Sequence, residues 1–266
     1  MKLIYQPKGK AREYSPYALN IYSGGCDHAC RYCYCHDIMR GNWGKDAAER
    51  DLSGLAAQAK KCGRQIMLSF ISDPYCSADI NYQSTRKALT ILKEYGCSVA
   101  VLTKGGGRCL RDMDLFKEWP DKRIKVGATL TFWDSEKSAE WEPGAASPVD
   151  RVQTLRVLNQ AGIETFVSIE PVIEPKESLA CISNSLPFCG SYKVGKWNHD
   201  KRGQEIDWKS FGISAVEVLR EAGKRIYVKK DLQPYFPSGY LTHDETDMDC
   251  LTLPDRKESR SGELLP

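Results

Sequence analysis

The sequence predicts an α/β protein, an open and partial (β/α)6-type barrel around a parallel sheet. Three observations lead there. Short β-rich runs alternate with helical patterns between residues 17 and 229, and strands joined through helices run parallel because each crossover must carry the chain back to the same edge. Six or seven such units are too few to close an eight-fold barrel. Polar residues follow the strands at their carboxyl ends, where the chemistry of parallel α/β folds collects.

The elements follow in order. YALNIYS (17–23) and QIMLSFIS (65–72) read as strands, with a helix between them over 46–61. STRKALTILKEY (84–95) reads as a helix with Ser84 as N-cap and Gly96 as its stop, followed by the strand SVAVLT (98–103). RDMDLFKEW (111–119) is helical and leads to the strand IKVGATLTF (124–132). Ser147-Pro148 places an N-cap before a proline at the first helical position, opening a helix that ends at Gly162. ETFVSIE (164–170), KESLACISNSL, SYKVG (191–195), the helix over 210–222 and RIYVK (225–229) repeat the unit. A single domain is expected over 1–242, with a polar tail over 243–266 that frays.

Composition narrows the function classes. Hydrophobic content of 41% and charged content of 27% are those of an ordinary globular protein, and a net charge of +3 is too small to imply nucleic acid by itself. The apolar runs are too short for a bilayer, and the segment MKLIYQPKGKAREY lacks the sustained apolar core of a secretory signal. Eleven cysteines, an odd number and mostly scattered, point to thiols in a reducing cytoplasm and to a metal site.

That site is SGGCDHACRYCYCH (23–36), with four cysteines and two histidines in fourteen positions. Cys26, Cys30 and Cys33 are spaced C-x3-C-x2-C, and thiolates are soft ligands that suit zinc or iron–sulfur centres. Structural zinc wants four ligands, usually as two separated pairs. No second C-x2-C exists, so zinc would need His28, Cys35 or His36 as the fourth. Three thiolates on a cubane cluster leave one iron open to a reacting ligand.

The stretch resembles the signature of the radical S-adenosylmethionine superfamily, C-x3-C-x-aromatic-C after the first barrel strand, with Tyr32 at the aromatic position. SDPYCSADINYQSTRKALTILKEYGCSVAVLTKGG and WEPGAASPVDRVQTLRVLNQAGIETFVSIEPVI look like segments of its spore photoproduct lyase-like branch. The resemblance covers residues 17–175. It implies a [4Fe-4S] cluster on Cys26, Cys30 and Cys33, its fourth iron chelated by S-adenosylmethionine. It also implies a 5′-deoxyadenosyl radical that takes hydrogen from a substrate. A low-potential donor of flavodoxin or ferredoxin type is then needed, since this chemistry sits at the low end of cluster potentials.

S-adenosylmethionine carries an ammonium, a carboxylate and a flat base, so its pocket wants an acceptor, a cation and flat apolar contacts. The resemblance assigns Ser72, Asp73, Lys104 and Thr129 to that pocket, beside Tyr32. It also pairs Glu142 with Arg151, an ion pair expected to pin a loop over the rim. Spore photoproduct lyases carry a hydrogen-donating cysteine two residues before the Ser-Asp pair. Phe70 stands there, and Cys76 lies beyond Pro74, which argues against pyrimidine-dimer repair. Nucleic acid as substrate enters through the resemblance alone. Asn198, His199 and Lys229, past the last two strands, are expected on the substrate side; Lys229 ends an apolar strand, where a lysine needs an anionic partner or ligand.

Overall fold

A computed structural model describes residues 2–198 and 200–256. The strands are β1 (Ile4–Tyr5), β2 (Tyr17–Leu19), β3 (Tyr22–Ser23), β4 (Ala48–Glu49), β5 (Ile66–Leu68), β6 (Val99–Thr103), β7 (Ile124–Thr129), β8 (Glu164–Ile169), β9 (Ser191–Val194) and β10 (Arg225–Val228). Eight form one sheet in the order β1-β2-β5-β6-β7-β8-β9-β10, while β3 and β4 pair apart from it. β1 is antiparallel to β2, and every other neighbour in the large sheet is parallel. Among the described residues β1 and β10 do not pair, so the barrel is open as expected.

Alternation sorts the strand residues to two faces. Outward, Ile66, Leu68, Val99, Val101 and Val126 pack under the helices Ser84–Glu94 and Met113–Lys117, and Val167, Ile169, Val194 and Val228 pack under the helices Pro148–Gln160, Pro175–Ser185 and Trp208–Glu221. Inward, Met67, Ala100 and Phe166 meet Tyr14. Gly127 is required here, since a Cβ would lie 2.6 Å from the Phe166 ring. Three lysines also enter the lumen, with Lys125, Lys193 and Lys229 each at most 2% exposed.

Tyr14 comes from a strap, residues 9–15, that crosses the open seam. The strap's Glu13 carboxylate accepts from Tyr227 Oη at 2.6 Å and the Lys230 backbone N–H at 2.8 Å, and its carbonyl accepts from Lys193 Nζ at 2.7 Å.

The sequence and the structure differ at three elements. The helix expected over 46–61 shrinks to Leu55–Ala59, because Asp51 caps a turn through the Ser53 N–H (2.9 Å) and Ala48–Glu49 is taken by β4. The strand 17–23 breaks at Asn20, whose Oδ1 accepts from the Phe70 and Ile71 N–H groups (2.9 and 3.2 Å). Residues 243–256 do not fray. Thr242 and Glu245 form a capping box on the helix His243–Thr246, Leu251 and Leu253 are buried, and the Leu253 N–H donates to Gln65 Oε1 at 2.9 Å. Lys125 Nζ donates to the Leu251 carbonyl and Arg256 to that of Tyr95, so this segment seals the amino-terminal end of the barrel. The rest of the expected tail, 257–266, lies outside the described residues. No described helix is long and apolar enough to cross a membrane.

Candidate functional site at the carboxyl mouth of the barrel

The cysteine loop is braced by glycine. Gly25 bridges Gly44, where a Cβ would stand 2.4 Å from the Gly44 carbonyl oxygen, and the Cys26 N–H donates to that same oxygen at 3.2 Å. Within the loop, the Ala29 N–H reaches the Cys26 carbonyl (3.3 Å) and the Cys33 N–H that of Cys30 (3.1 Å). Cys30 is buried, and Cys26 and Cys33 are half-buried. Burial pushes the Cys26 thiol up, and the Cys30 thiol up to about 11. A hydrogen bond from the Cys35 thiol brings Cys33 down to about 6, while its partner Cys35 is pushed up.

Among the described residues no three His, Cys, Asp or Glu side chains converge as a single ion requires. His28 is buried and turned to the rim, its Nδ1 3.6 Å from Asp73 and its Nε2 3.4 Å from Arg108, and burial holds it below its usual range. A cubane puts each thiolate on a different iron, so its ligands stand apart, and three thiols spread along one loop fit that group.

The residues assigned to S-adenosylmethionine surround this loop. Ser72, with φ at +56°, donates its hydroxyl to the Gly25 carbonyl at 2.5 Å and ties the end of β5 to the loop. Both Asp73 oxygens are occupied: Oδ1 by Tyr75 N–H (2.8 Å) and Thr103 Oγ1 (2.5 Å), Oδ2 by Lys104 N–H (2.7 Å). Lys104 Nζ lies 5.4 Å from the centre of the Tyr32 ring. Burial works against its charge, but Cys30 and Glu142 outweigh that and hold the ammonium above its usual range. Thr129 ends β7 and its carbonyl accepts from Arg151 Nη1 at 2.9 Å.

Glu142 and Arg151 pair at 2.6 Å with side chains at most 1% exposed. Glu142 also accepts from Tyr32 Oη, from Thr131 Oγ1 (3.3 Å) and from Ser138 Oγ (3.2 Å). Such a pair is held by its complete set of hydrogen bonds, without which two buried charges would be costly.

At the far side of the mouth, Asn198 and Lys229 converge on Glu170. Lys229 Nζ donates to Glu170 Oε2, Tyr14 Oη reaches the same oxygen at 2.9 Å, and Asn198 Nδ2 stands 3.4 Å from Oε1 and 2.7 Å from Asp231 Oδ2. Lys10 completes the set on Asp231 at 2.9 Å. His199 lies outside the described residues. Lys229's need for an anion was legible; His28 was expected only as a possible zinc ligand, not as a partner of Asp73 and Arg108, and Tyr14 carried no signal in the sequence. Phe70 packs edge-on against Tyr14 at 6.1 Å and Cys76 is fully buried, so neither brings a thiol to the mouth.

Comparison with known proteins places this geometry. The family model described as the radical SAM superfamily matches residues 20–189. An uncharacterized protein of Methanocaldococcus jannaschii is 30% identical over 181 residues, 66% of this chain and 68% of its own length. An uncharacterized protein of Mycobacterium tuberculosis is 26% identical over 241 residues, 84% of this chain and 70% of its own. Among solved structures, Streptococcus suis SuiB bound to S-adenosylmethionine aligns with a TM-score of 0.62 at 13% identity, over 85% of this chain and 53% of its own. A spore photoproduct lyase variant aligns with a TM-score of 0.58 at 15% identity, over 75% of this chain and 62% of its own. The chain thus spans little more than half the length of these structural neighbours. With a family model matched over more than half of the sequence, and three cysteines on a loop at the barrel mouth, this chain is an enzyme of the radical SAM superfamily.

Proposed function

We propose that the chain binds one [4Fe-4S] cluster through Cys26, Cys30 and Cys33, cleaves S-adenosylmethionine reductively and abstracts hydrogen from a substrate. The bound cluster and S-adenosylmethionine supply the electron and the 5′-deoxyadenosyl radical. The chain's own residues bind and orient. Lys104 is a cation beside Cys30 and over Tyr32, suited to a carboxylate. Ser72 and Asp73 fix the rim around the loop, and Asp73 meets an ammonium by exchanging one of its present donors. Thr129 and the Tyr32 ring complete the cofactor's surroundings. The Glu170 network of Asn198 and Lys229 lies on the side of the mouth we assign to substrate; His199, the third residue expected there, lies outside the described residues. A one-electron protein donor of flavodoxin or ferredoxin type supplies the reductant.

The observation that carries this reading is the set of three free thiols, Cys26, Cys30 and Cys33, on one loop at the barrel mouth, within the region matched by the radical SAM family model. Anaerobic purification and reconstitution should give about four iron and four sulfide per chain. Reduction with dithionite should then form 5′-deoxyadenosine and methionine. Stoichiometric zinc with no iron uptake would overturn the proposal.

A further inference from the structure

We infer that the segment Trp141–Gly144, which starts at the last residue of the helix Ser135–Trp141 after β7, is a clasp that holds the cysteine loop in its ligating shape before any metal arrives. Gly144 and Tyr32 are its positioning residues. The role of the loop rests on the reading of Cys26, Cys30 and Cys33 as cluster ligands. The clasp itself rests on contacts in the protein.

Residues 27–32 have little to hold them from within. Ala29 sits at φ +46°, and the loop's own backbone bonds are the two that end at Ala29 and Cys33. Side chains tie the loop outward, with Asp27 accepting from the Ser77 N–H at 3.0 Å, His28 facing Asp73 and Arg108, and Arg31 pairing with Glu140, while its backbone is held from 141–144. The Arg31 N–H donates to the Trp141 carbonyl at 2.9 Å, and the Gly144 N–H donates to the His28 carbonyl at 3.1 Å. Tyr32 Oη donates to the Glu142 carboxylate, and its ring stacks on Trp141 with centroids 6.5 Å apart and planes at 26°. A Cβ on Gly144 would fall 1.9 Å from the Asp27 carbonyl oxygen and 2.9 Å from the His28 Cα. Both are backbone atoms of the loop, so no rotamer change relieves the overlap.

The clasp is rigid for a separate reason. Glu142 is pinned by Arg151, which also donates to the Ala146 carbonyl (2.8 Å) and to the Thr129 carbonyl at the end of β7. The barrel thus holds the clasp and the clasp holds the loop. Three ligands ordered in advance spare the ordering entropy that binding would otherwise cost.

The test uses the full-length, metal-free protein and iodoacetamide, with labelling of each cysteine followed by mass spectrometry. In the wild type Cys30 should label slowly. In Gly144→Ala its rate should rise about tenfold, the scale of one lost buried hydrogen bond in a local opening, while Cys109 and Cys181 stay protected and the melting temperature holds. Tyr32→Phe keeps the ring stack, loses the bond to Glu142 and should raise the rate by a smaller factor. In reconstituted protein, release of iron to a chelator should quicken in the same order. Wild-type labelling of Cys30 in both variants would overturn the clasp. If Gly144→Ala exposes Cys109, it has unfolded and Tyr32→Phe decides. Failure of the wild type to take up iron would sink the proposed function, while the labelling result would still decide the clasp.

Discussion

Lys104 and Lys229 both end parallel strands at the same mouth, and each lies over a tyrosine, at 5.4 Å from the Tyr32 centroid and 4.7 Å from that of Tyr14. Their surroundings are opposite. Lys229 is buried and neutralised by Glu170, inside a network that runs through Tyr14, Asn198 and Asp231 to Lys10. Lys104 is half-buried and, among the described residues, pairs with no carboxylate. A lysine already answered by its own fold belongs to the structure first. Lys104, favoured by the nearby Cys30 and Glu142 but in direct ion-pair contact with neither, is left for a ligand. The cysteine side of the mouth is built to receive, and the β8–β10 side is built to stay closed on itself.

Substitutions can break that contrast. The largest effect is expected at the thiols: alanine at Cys26, Cys30 or Cys33 should abolish cluster iron after reconstitution, whereas Cys35→Ala should keep it. Retention in one of the first three with loss at Cys35 would reassign the ligands. Next, Lys229→Met should lower unfolding free energy by about 3 kcal/mol, because it strands a mostly buried carboxylate. Urea denaturation measures it. Lys104→Ala should leave that transition unchanged and weaken S-adenosylmethionine binding tenfold to a hundredfold, for a loss of roughly 1–3 kcal/mol. Calorimetry on the reconstituted protein reads it. If Lys104→Ala destabilises the fold and Lys229→Met does not, the contrast is reversed.

The smallest effect is a slope with pH. Burial brings Lys193 down to about 7 and Lys125 down to about 8. Their unfolded values are the ordinary 10.5. Between about pH 7 and 8.5 the unfolded chain therefore holds more protons at these sites, so stability should rise with pH in that window. Above it, the buried thiols pushed up by burial oppose the trend, because they keep protons that the unfolded chain releases. Urea midpoints at pH 7, 7.8 and 8.5 for the wild type and Lys193→Met test this. The slope should shrink in Lys193→Met to the share of Lys125, and an undiminished slope would assign it elsewhere.

Much of the scaffold was legible because local rules and tertiary need agree. The helix Pro148–Gln160 begins where Ser147 accepts from the Asp150 N–H and stops before Gly162, which adopts φ +81°. Legibility failed where a side chain answered a backbone distant in sequence, as Asn20 between β2 and β3 accepts from Phe70 and Ile71, and where the tail found carbonyl and amide partners across the chain. In the site, the cysteine spacing was readable, because it lies within eight consecutive residues. The Glu142–Arg151 pair that anchors the clasp was expected from the resemblance, but the grip of Trp141–Gly144 on the cysteine loop and the Tyr14 strap were not, since neither leaves a periodic or spaced pattern near the residues it serves.

Gly195 carries a consequence for descent. Placed just past β9, it leaves room for the Glu170–Lys229 pair: a Cβ there would lie 2.9 Å from Glu170 Cδ and 3.1 Å from Lys229 Cδ. A side chain at 195 would push the Glu170 and Lys229 side chains out of their present pairing geometry, and a lineage that loses the pair no longer needs glycine there. The three positions should therefore drift as a linked set, with glycine persisting only where both charges persist. Among relatives, that correlation would trace which branches kept this closed side of the mouth and which opened it to new substrates.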